Sequence, residues 1–327
     1  MTKRPTLRLM AVTLLATLPL GSALAQSSTY PTQPVKWVVP YAPGGTTDVI
    51  ARQLAVRMGQ TLGQPVIADN KPGAASIIGA TFIARSAPDG YTVGTADSGT
   101  LAFNPAMYAT LSYDAQKDFS LIGGLGRMPL VLAVHPSFPA KNVQEFLAMA
   151  RKAPGSVSSA SSGPGSPLHV ALELFKQKTK TDILHVPYKG SAPALQDLMA
   201  GQVNSIFVDL PPSLSMIRSG KLRVLAIATP QRLPLLPDVP TMAEAGVPGF
   251  EAYAWQGFVG PAKLPSPIVE RLNKDLNDAL NHAETRAKLE EIGIQPMTMT
   301  SKAFADFVHA EQKLWTGVIK TANIRLD

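Results

Sequence analysis

The stretch Val38-Val-Pro-Tyr-Ala-Pro-Gly-Gly-Thr-Thr-Asp-Val-Ile-Ala-Arg-Gln-Leu-Ala-Val-Arg-Met-Gly-Gln-Thr-Leu-Gly-Gln64 decides the fold. The β-branched and aromatic run Val35 to Pro40 reads as a buried strand. Gly44 and Gly45 then turn the chain, and Ile50, Leu54, Met58 and Leu62 recur every fourth residue until Gly63 stops the pattern. A strand, a glycine turn and a helix start together form an anion cradle. Glycines let the backbone approach a guest, and the helix presents free N–H groups and the positive end of its dipole.

Outward from this unit the pattern repeats. Pro65 to Asp69 is a second strand, Asn70-Lys71-Pro72-Gly73 a turn, Ala75 to Ser86 a short helix and Tyr91 to Thr95 a third strand. This β-α-β-α-β order predicts a parallel α/β sheet. Leu121 to Pro136 is a long apolar strand leaving that region. A capping box at Asn142-Val143-Gln144-Glu145 opens a further helix. A second series follows: strands at 157–160, 183–186, 203–208 and 222–228, with helices at 167–179, between a Ser191 cap and Gly201, and at 212–219. A second capping box at Thr241-Met242-Ala243-Glu244 predicts a helix closed by Gly246. Trp255 to Gly260 is a strand, Ser266-Pro267 opens a helix as cap and first residue, and Lys302 to Ile324 carries a helical apolar stripe. No internal repeat stands out. The expected architecture is two α/β lobes with a ligand cleft between them.

The second glycine loop is Ser161-Ser162-Gly163-Pro164-Gly165-Ser166, followed by Pro167, Leu168 and His169. Ser166 is placed to cap, and Pro167 suits the first helical position. Two helix starts facing each other would suit a ligand with one or two carboxylates. In the first loop Thr46 and Thr47 offer hydroxyls. Asp48 either favours its own helix start or repels a second negative charge, and it reads as a structural acid that organises the loop. His169, in the first helical turn, reads as a partly buried hydrogen-bonding residue. Neither nucleotide fingerprint, G-x-G-x-x-G or G-x-x-x-x-G-K-[ST], occurs in the first loop.

Composition narrows the classes. The chain has 327 residues and a formal charge of +7. Lys3, Arg4 and Arg8, the apolar run Leu9 to Leu20 and the Ala23-Leu24-Ala25 site form a secretory signal peptide over residues 1–25. That run is shorter than a membrane span requires. Removing the three leader cations lowers the charge to +4, and no dense basic stripe with aromatics suggests nucleic acid. With no cysteine, neither a disulfide nor a cysteine-borne lipid anchor is possible. The five histidines show no metal-ligand spacing, and no H-E-x-x-H or G-x-S-x-G motif occurs. A hydrolase pairing Asp209 with His169 or His185 and a loop serine is a remote alternative. No enzyme activity, cofactor or metal is expected.

The sequence resembles the periplasmic solute-binding proteins of tripartite tricarboxylate transporters, the Bug or TctC-like family. The matching pieces include Val38-Val39-Pro40-Tyr41-Ala42-Pro43-Gly44-Gly45 with Asp48 and Ala51-Arg52, Asp69-Asn70-Lys71-Pro72-Gly73-Ala74 and Pro88-Asp89-Gly90-Tyr91. Further matches are Ser162-Gly163-Pro164-Gly165-Ser166 with His169, Val186-Pro187-Tyr188-Lys189-Gly190 and Trp255-Gln256-Gly257. The likeness covers essentially all of the chain after the leader. It implies a two-lobe Venus-flytrap binder of the type II-like periplasmic class. The first lobe would be discontinuous, over 26–126 and 228–327, with the second over 127–227. It also implies that the loops Tyr41 to Asp48 and Ser161 to Ser166 hold a ligand carboxylate through backbone N–H groups and ordered water. Ser98 and Thr100 would add hydroxyl contacts, and Tyr188 and Asp209 would reach the ligand from the second lobe. The implied cargo is a di- or tricarboxylate, an acidic amino acid or an aromatic carboxylate, carried by a periplasmic monomer to transmembrane permease subunits. A sensor that presents the closed form to a membrane signalling partner is the alternative. Trp37, Tyr41 and Ala42 depart from the residues most frequent in the family.

Overall fold

A computed structural model describes residues 30–326. The signal peptide expected over residues 1–25 lies outside the described residues. The chain runs β1 (Val35–Val39), α1 (Thr46–Leu62), β2 (Val66–Asn70), α2 (Ile77–Ala84), β3 (Thr92–Asp97), a π-helical turn (Gly99–Phe103) and α3 (Asn104–Met107). Next come β4 (Phe119–Val134), α4 (Val143–Lys152), β5 (Ser158–Ser161), α5 (Pro167–Thr179), β6 (Leu184–Pro187), α6 (Ser191–Met199), β7 (Ser205–Asp209), α7 (Leu210–Arg218) and β8 (Arg223–Ile227). The chain finishes with β9 (Tyr253–Pro261), α8 (Ser266–Asn281), α9 (Ala283–Glu291), β10 (Gln295–Pro296) and α10 (Ser301–Thr321).

The 16-residue strand β4 organises the molecule. Its first part pairs with β9 from Phe119 to Pro129 and belongs to the set β2-β1-β3-β9-β4-β10. Its last part, Leu130 to Val134, pairs with β7 on one side and β8 on the other, giving β6-β5-β7-β4-β8. β1, β2 and β3 are mutually parallel, as are β5, β6 and β7, as the two β-α-β series require. Backbone bonds from Leu130 to Ala252, Ala252 to Ala228 and Ala228 to Leu130 tie the crossing segments together at the junction of the two sets.

The α1 stripe is buried as its spacing demands. Ile50, Leu54 and Met58 are fully covered, and each contributes about 1.5–3 kcal/mol of apolar burial. Trp37 and Phe258 pack in the same cluster with rings tilted 37° and centroids 4.3 Å apart, and Trp37 donates its indole N–H to Thr95 Oγ1 at 2.9 Å. This face of the first set forms one apolar cluster with α8 and α9. The other face merges with the core of the second set, and α10 covers it. Gly257 is required there, because a Cβ at this position would lie 2.1 Å from the Phe304 ring of α10.

Three details differ from the sequence reading. The Thr241 box forms as expected, with Glu244 N–H donating to Thr241 Oγ1 and Thr241 N–H to Glu244 Oε2. It closes a single turn rather than a helix, because Gly246 at φ +87° and Pro248 follow at once. Ser191 and Ser266 are first helical residues, with Gly190 and Pro265 in the cap positions. Helix α9 was not anticipated: it is rich in charge and buries only Thr285 and Leu289.

Candidate functional site

Strand register places the two parallel triplets head to head. In the first set Asp97, the last residue of β3, lies opposite Gln256 of β9, and Gln256 lies opposite Gly126 of β4. In the second, Asp209, the last residue of β7, lies opposite Leu130 of β4. The carboxyl ends of β1–β3 and of β5–β7 therefore point toward each other along β4, from Gly126 and from Leu130. Loops that leave strand carboxyl ends are where open α/β sheets bind ligands. The loops at 40–48, 71–76 and 98–100 converge from one side, and those at 161–166, 188–190 and 209–210 from the other.

The first loop is exposed from Ala42 to Gly45. Gly45 is the N-cap of α1, with φ −76° and ψ 168° and no side-chain cap. The first intrahelical bond runs from Val49 N–H to Gly45 C=O, so the amides of Thr46, Thr47 and Asp48 precede the helical ladder. Thr46 is half-buried beside them, and Pro43 and Gly44 lead in. Asp48 is buried and holds the loop's shape, as expected of a structural acid. It accepts from Gly44 N–H at 2.9 Å, Asn70 Nδ2 at 2.8 Å and Arg52 Nε at 2.9 Å. The Arg52 guanidinium, helped by the Gly44 and Asn70 donors, lowers its pKa to about 2. Thr47 is buried, and its Oγ1 accepts from Gln256 Nε2 at 2.7 Å.

Behind this loop Tyr41 donates its phenol to Asp97, which also accepts from Thr100 N–H and Thr100 Oγ1, both at 2.8 Å. Burial and the Asp97 carboxylate push the Tyr41 phenol well above its usual pKa. Thr100 is buried and meets Ser76 Oγ at 2.7 Å, so its hydroxyl is engaged in the wall. Ala74, Ala75 and Ser76 all have left-handed backbone, with φ of 47°, 48° and 72°. Such a run without glycine is strained, and strain of this kind clusters at functional sites.

The second loop is knitted to imidazoles. Ser161 Oγ lies 2.6 Å from His185 Nε2 and accepts from Gly163 N–H at 3.1 Å. Gly165 N–H donates to His169 Nδ1 at 3.0 Å, which fixes the His169 tautomer with Nδ1 as acceptor. Ser166 caps α5, its hydroxyl accepting from His169 N–H at 3.3 Å. The two rings stack at 3.8 Å, and burial lowers both pKa values to about 4. Gly165 has φ +73°, and a Cβ on it would lie 2.6 Å from Met107 Sδ of α3. The loop, with Ser162 and Pro164 partly exposed, is thus wedged against the first set. Tyr188 turns its phenol to Asp197 at 2.7 Å, and burial raises its pKa to about 12. Ser161 and His185 form a pair, but Asp209 is not hydrogen-bonded to either imidazole. His169 has Glu173 3.8 Å from its Nε2.

Buried polar atoms at this level of the sheets without a hydrogen-bond partner among the described residues include Ser98 Oγ, Gln256 Oε1 and Asp209 Oδ1, and Tyr253 OH on β9 opposite Pro129. Buried polar atoms are ordinarily satisfied, so a cluster of exceptions marks a place where something else binds. Gln256 was not singled out as a site residue from sequence. Its signal was a lone amide inside the apolar run Ala254-Trp255-Gln256-Gly257-Phe258. Among the described residues no group of three or more His, Cys, Asp or Glu side chains could hold a metal, and no helix is long and apolar enough to cross a membrane.

Known proteins share this architecture. BugT of Bordetella pertussis is 36% identical over 306 residues, covering 93% of this chain and 94% of BugT. The structure of Rhodopseudomonas palustris Rpa4515 with adipate superposes with a TM-score of 0.81 at 38% identity, covering 90% of this chain and 99% of that one. MatC from the same organism, with bound malate, gives a TM-score of 0.77 at 35% identity, covering 89% and 100%. The family model described as the tripartite tricarboxylate transporter family receptor, TctC, matches residues 50–324. A two-lobe α/β binding fold, two opposed loop clusters and likeness along nearly the whole chain agree: the chain belongs to the TctC family of periplasmic solute-binding proteins.

Proposed function

We propose that this protein captures a small organic carboxylate between the loops at 40–48 and 161–166 and delivers it to the membrane subunits of a tripartite transporter. The observation that carries this reading is that buried polar atoms of Ser98 and Gln256 at one set of strand ends and of Asp209 at the other have no partner among the described residues, with Gln256 bonded to Thr47 in the unladdered first turn of α1. Gly126 and Leu130 are four residues apart on β4, so the facing strand ends are separated by about 13 Å. A short dicarboxylate with a hydrogen bond at each end has that span. The adipate and malate held by two relatives are short dicarboxylates.

In this reading the anion docks first on the amides of Thr46, Thr47 and Asp48, with Gly44 and Gly45 allowing close approach. The second lobe then closes, because its loop gains ligand contacts only in the closed form, and that difference in affinity shifts the population. The lobes divide near the Leu130–Ala228–Ala252 junction. In place of the boundary expected from sequence, which gave 228–327 to the first lobe, this reading assigns residues 228–252 to the second, since Phe250 packs on Phe175 and Phe207, and Gln144 Nε2 donates to Ala245 C=O. A cleavable leader over residues 1–25 takes the chain to the periplasm. No catalytic role is assigned to Ser161 and His185.

The test is a thermal-shift screen of leaderless protein, unfolded and refolded to strip carried ligand. The panel holds aliphatic di- and tricarboxylates, acidic amino acids and benzoate-type acids. One class should raise Tm in a concentration-dependent way. A folded, empty protein whose Tm no carboxylate moves would overturn the reading.

A further inference from the structure

Asp97 and Asp209 occupy matching places in their sheets, yet only one of them is satisfied. The β1–β3 register, Val38 opposite Gly94, extends to put Tyr41 beside Asp97. The β5–β7 register, Ala160 opposite Ile206, extends to put Gly163 beside Asp209. Asp97 accepts from a phenol, an amide and a hydroxyl. Asp209 Oδ1 is buried with no partner, and its residue sits at the N-cap of α7 without making a side-chain cap.

The charged groups on neighbouring elements do not relieve it. On β4, Arg127 donates Nε to Gln295 and lies 4.5 Å over the Tyr253 ring. Glu290 and Glu291 line a cavity with Leu210, where Glu290 pairs with Arg286, and Glu291 also lines a surface cavity with Pro211 and Arg218 of α7. His169 and His185, under the neighbouring loop, are neutral above about pH 4. Asp97 faces from across the gap. Burial alone pushes the Asp209 carboxyl up, to about 7. An arriving carboxylate adds a second negative charge to a site that already disfavours one, and two close carboxylates resolve that conflict by holding a proton. The resulting O–H···O⁻ bond is a strong one.

We propose that Asp209 takes a proton from solvent as a carboxylate ligand enters and donates it to that ligand in a hydrogen bond from the second lobe. The proton returns to solvent when the ligand leaves. Asp209 thus reads the ligand end far from the α1 amides and couples binding to pH. This deepens the carboxylate reading above and rests on it.

Calorimetric titration of refolded, ligand-free protein with adipate, malate, aspartate and benzoate tests the proposal. It is run from pH 6.5 to 8.5 in two buffers of different ionisation enthalpy. In this window the ligand carboxylates stay ionised and His169 and His185 stay neutral. Of the remaining histidines, His135 lies just past the far end of β4, His282 joins α8 to α9 and His309 is on α10, none at the facing ends of β1–β3 or β5–β7. The expected result is uptake approaching one proton per ligand at pH 8.5, with affinity falling about tenfold per pH unit above neutrality. Asp209→Asn, which keeps a donor, should bind with no proton uptake and a flat pH profile. Equal affinity at pH 6.5 and 8.5 without proton uptake overturns the proposal and leaves the carboxylate reading standing. A pH dependence that survives in the Asn variant does the same. Absence of heat with all four probes at every pH defeats the carboxylate reading, and the proposal with it.

Discussion

The two glycine loops solve the same problem with different chemistry. The first is held by an ion: Asp48 gathers Gly44, Asn70 and Arg52, and its carboxylate stays charged down to about pH 2. The second is held by two neutral rings, with His169 accepting from the loop and His185 meeting Ser161. The strand-end acids repeat the contrast, since Asp97 is saturated and Asp209 is not. The strand-end acid of the first lobe is fully partnered, and that of the second is left incomplete until a ligand arrives. A cleft that closes by differential binding needs that asymmetry, because a lobe already satisfied gains nothing from moving.

Acid should separate the loops most sharply. The folded pKa of His169 and His185, about 4, lies below the ordinary 6.5, so the unfolded chain binds protons more readily. The stability each contributes is present above pH 6.5 and is lost as pH falls toward 4, by about 3 kcal/mol per ring. Protonated His169 also places a donor against the Gly165 N–H. Chemical denaturation across that range should show the decline, and it should be smaller in a His169→Gln variant. Asp48 adds little to the slope there, because its own loss, which starts as the unfolded carboxyl protonates, runs mostly below about pH 4.

Loop substitutions come next. A Cβ on Gly45 meets only Ala42 O at 3.7 Å, and its φ is ordinary. Gly45→Val should therefore fold normally while losing ligand affinity by about 100-fold, or about 2.7 kcal/mol, in the titration used above. Tight carboxylate binding by that variant would detach the first loop from the site. Gly165→Val should act first on the fold. Its left-handed φ and its contact with Met107 should cost about 2 kcal/mol of stability and several degrees in Tm.

The strand-end acids give the smallest effects and opposite signs. Asp97→Asn turns an acceptor of three donors into a mixed group and should lower Tm at neutral pH, by about 1–2 kcal/mol of stability. Asp209→Asn should raise Tm at pH 8, where the ionised acid is a burden to the fold. The raised pKa of Asp209 makes that burden fully present above about 7 and absent below about 4, so the two Tm curves should meet in acid.

Much of this was legible in the sequence. Apolar spacing located α1 and its stop, and glycine with serine and proline located both loops and the start of α5. What was not legible depends on register. Nothing local to Asp97 shows that Tyr41 will lie alongside it, and nothing local to Asp209 shows that no such phenol awaits it. Gln256 belongs to the site only because β9 threads between β3 and β4. The left-handed run Ala74 to Ser76 is written in residues that ordinarily avoid it, so packing imposed it. At Thr241 the capping chemistry was read correctly, but the length of the element that follows was not.

The threading of β9 also has a consequence for the order of folding. The first sheet has an empty lane between β3 and β4 until residues 253–261 are available. All the pairings of the second sheet, by contrast, lie between residues 130 and 227. Closing a contact between distant residues is slower than closing one between near residues. As the chain emerges from its amino end, the middle can settle first, while the beginning waits for a strand made more than a hundred and fifty residues later. The portion of the molecule synthesised earliest is thus among the last to become solid.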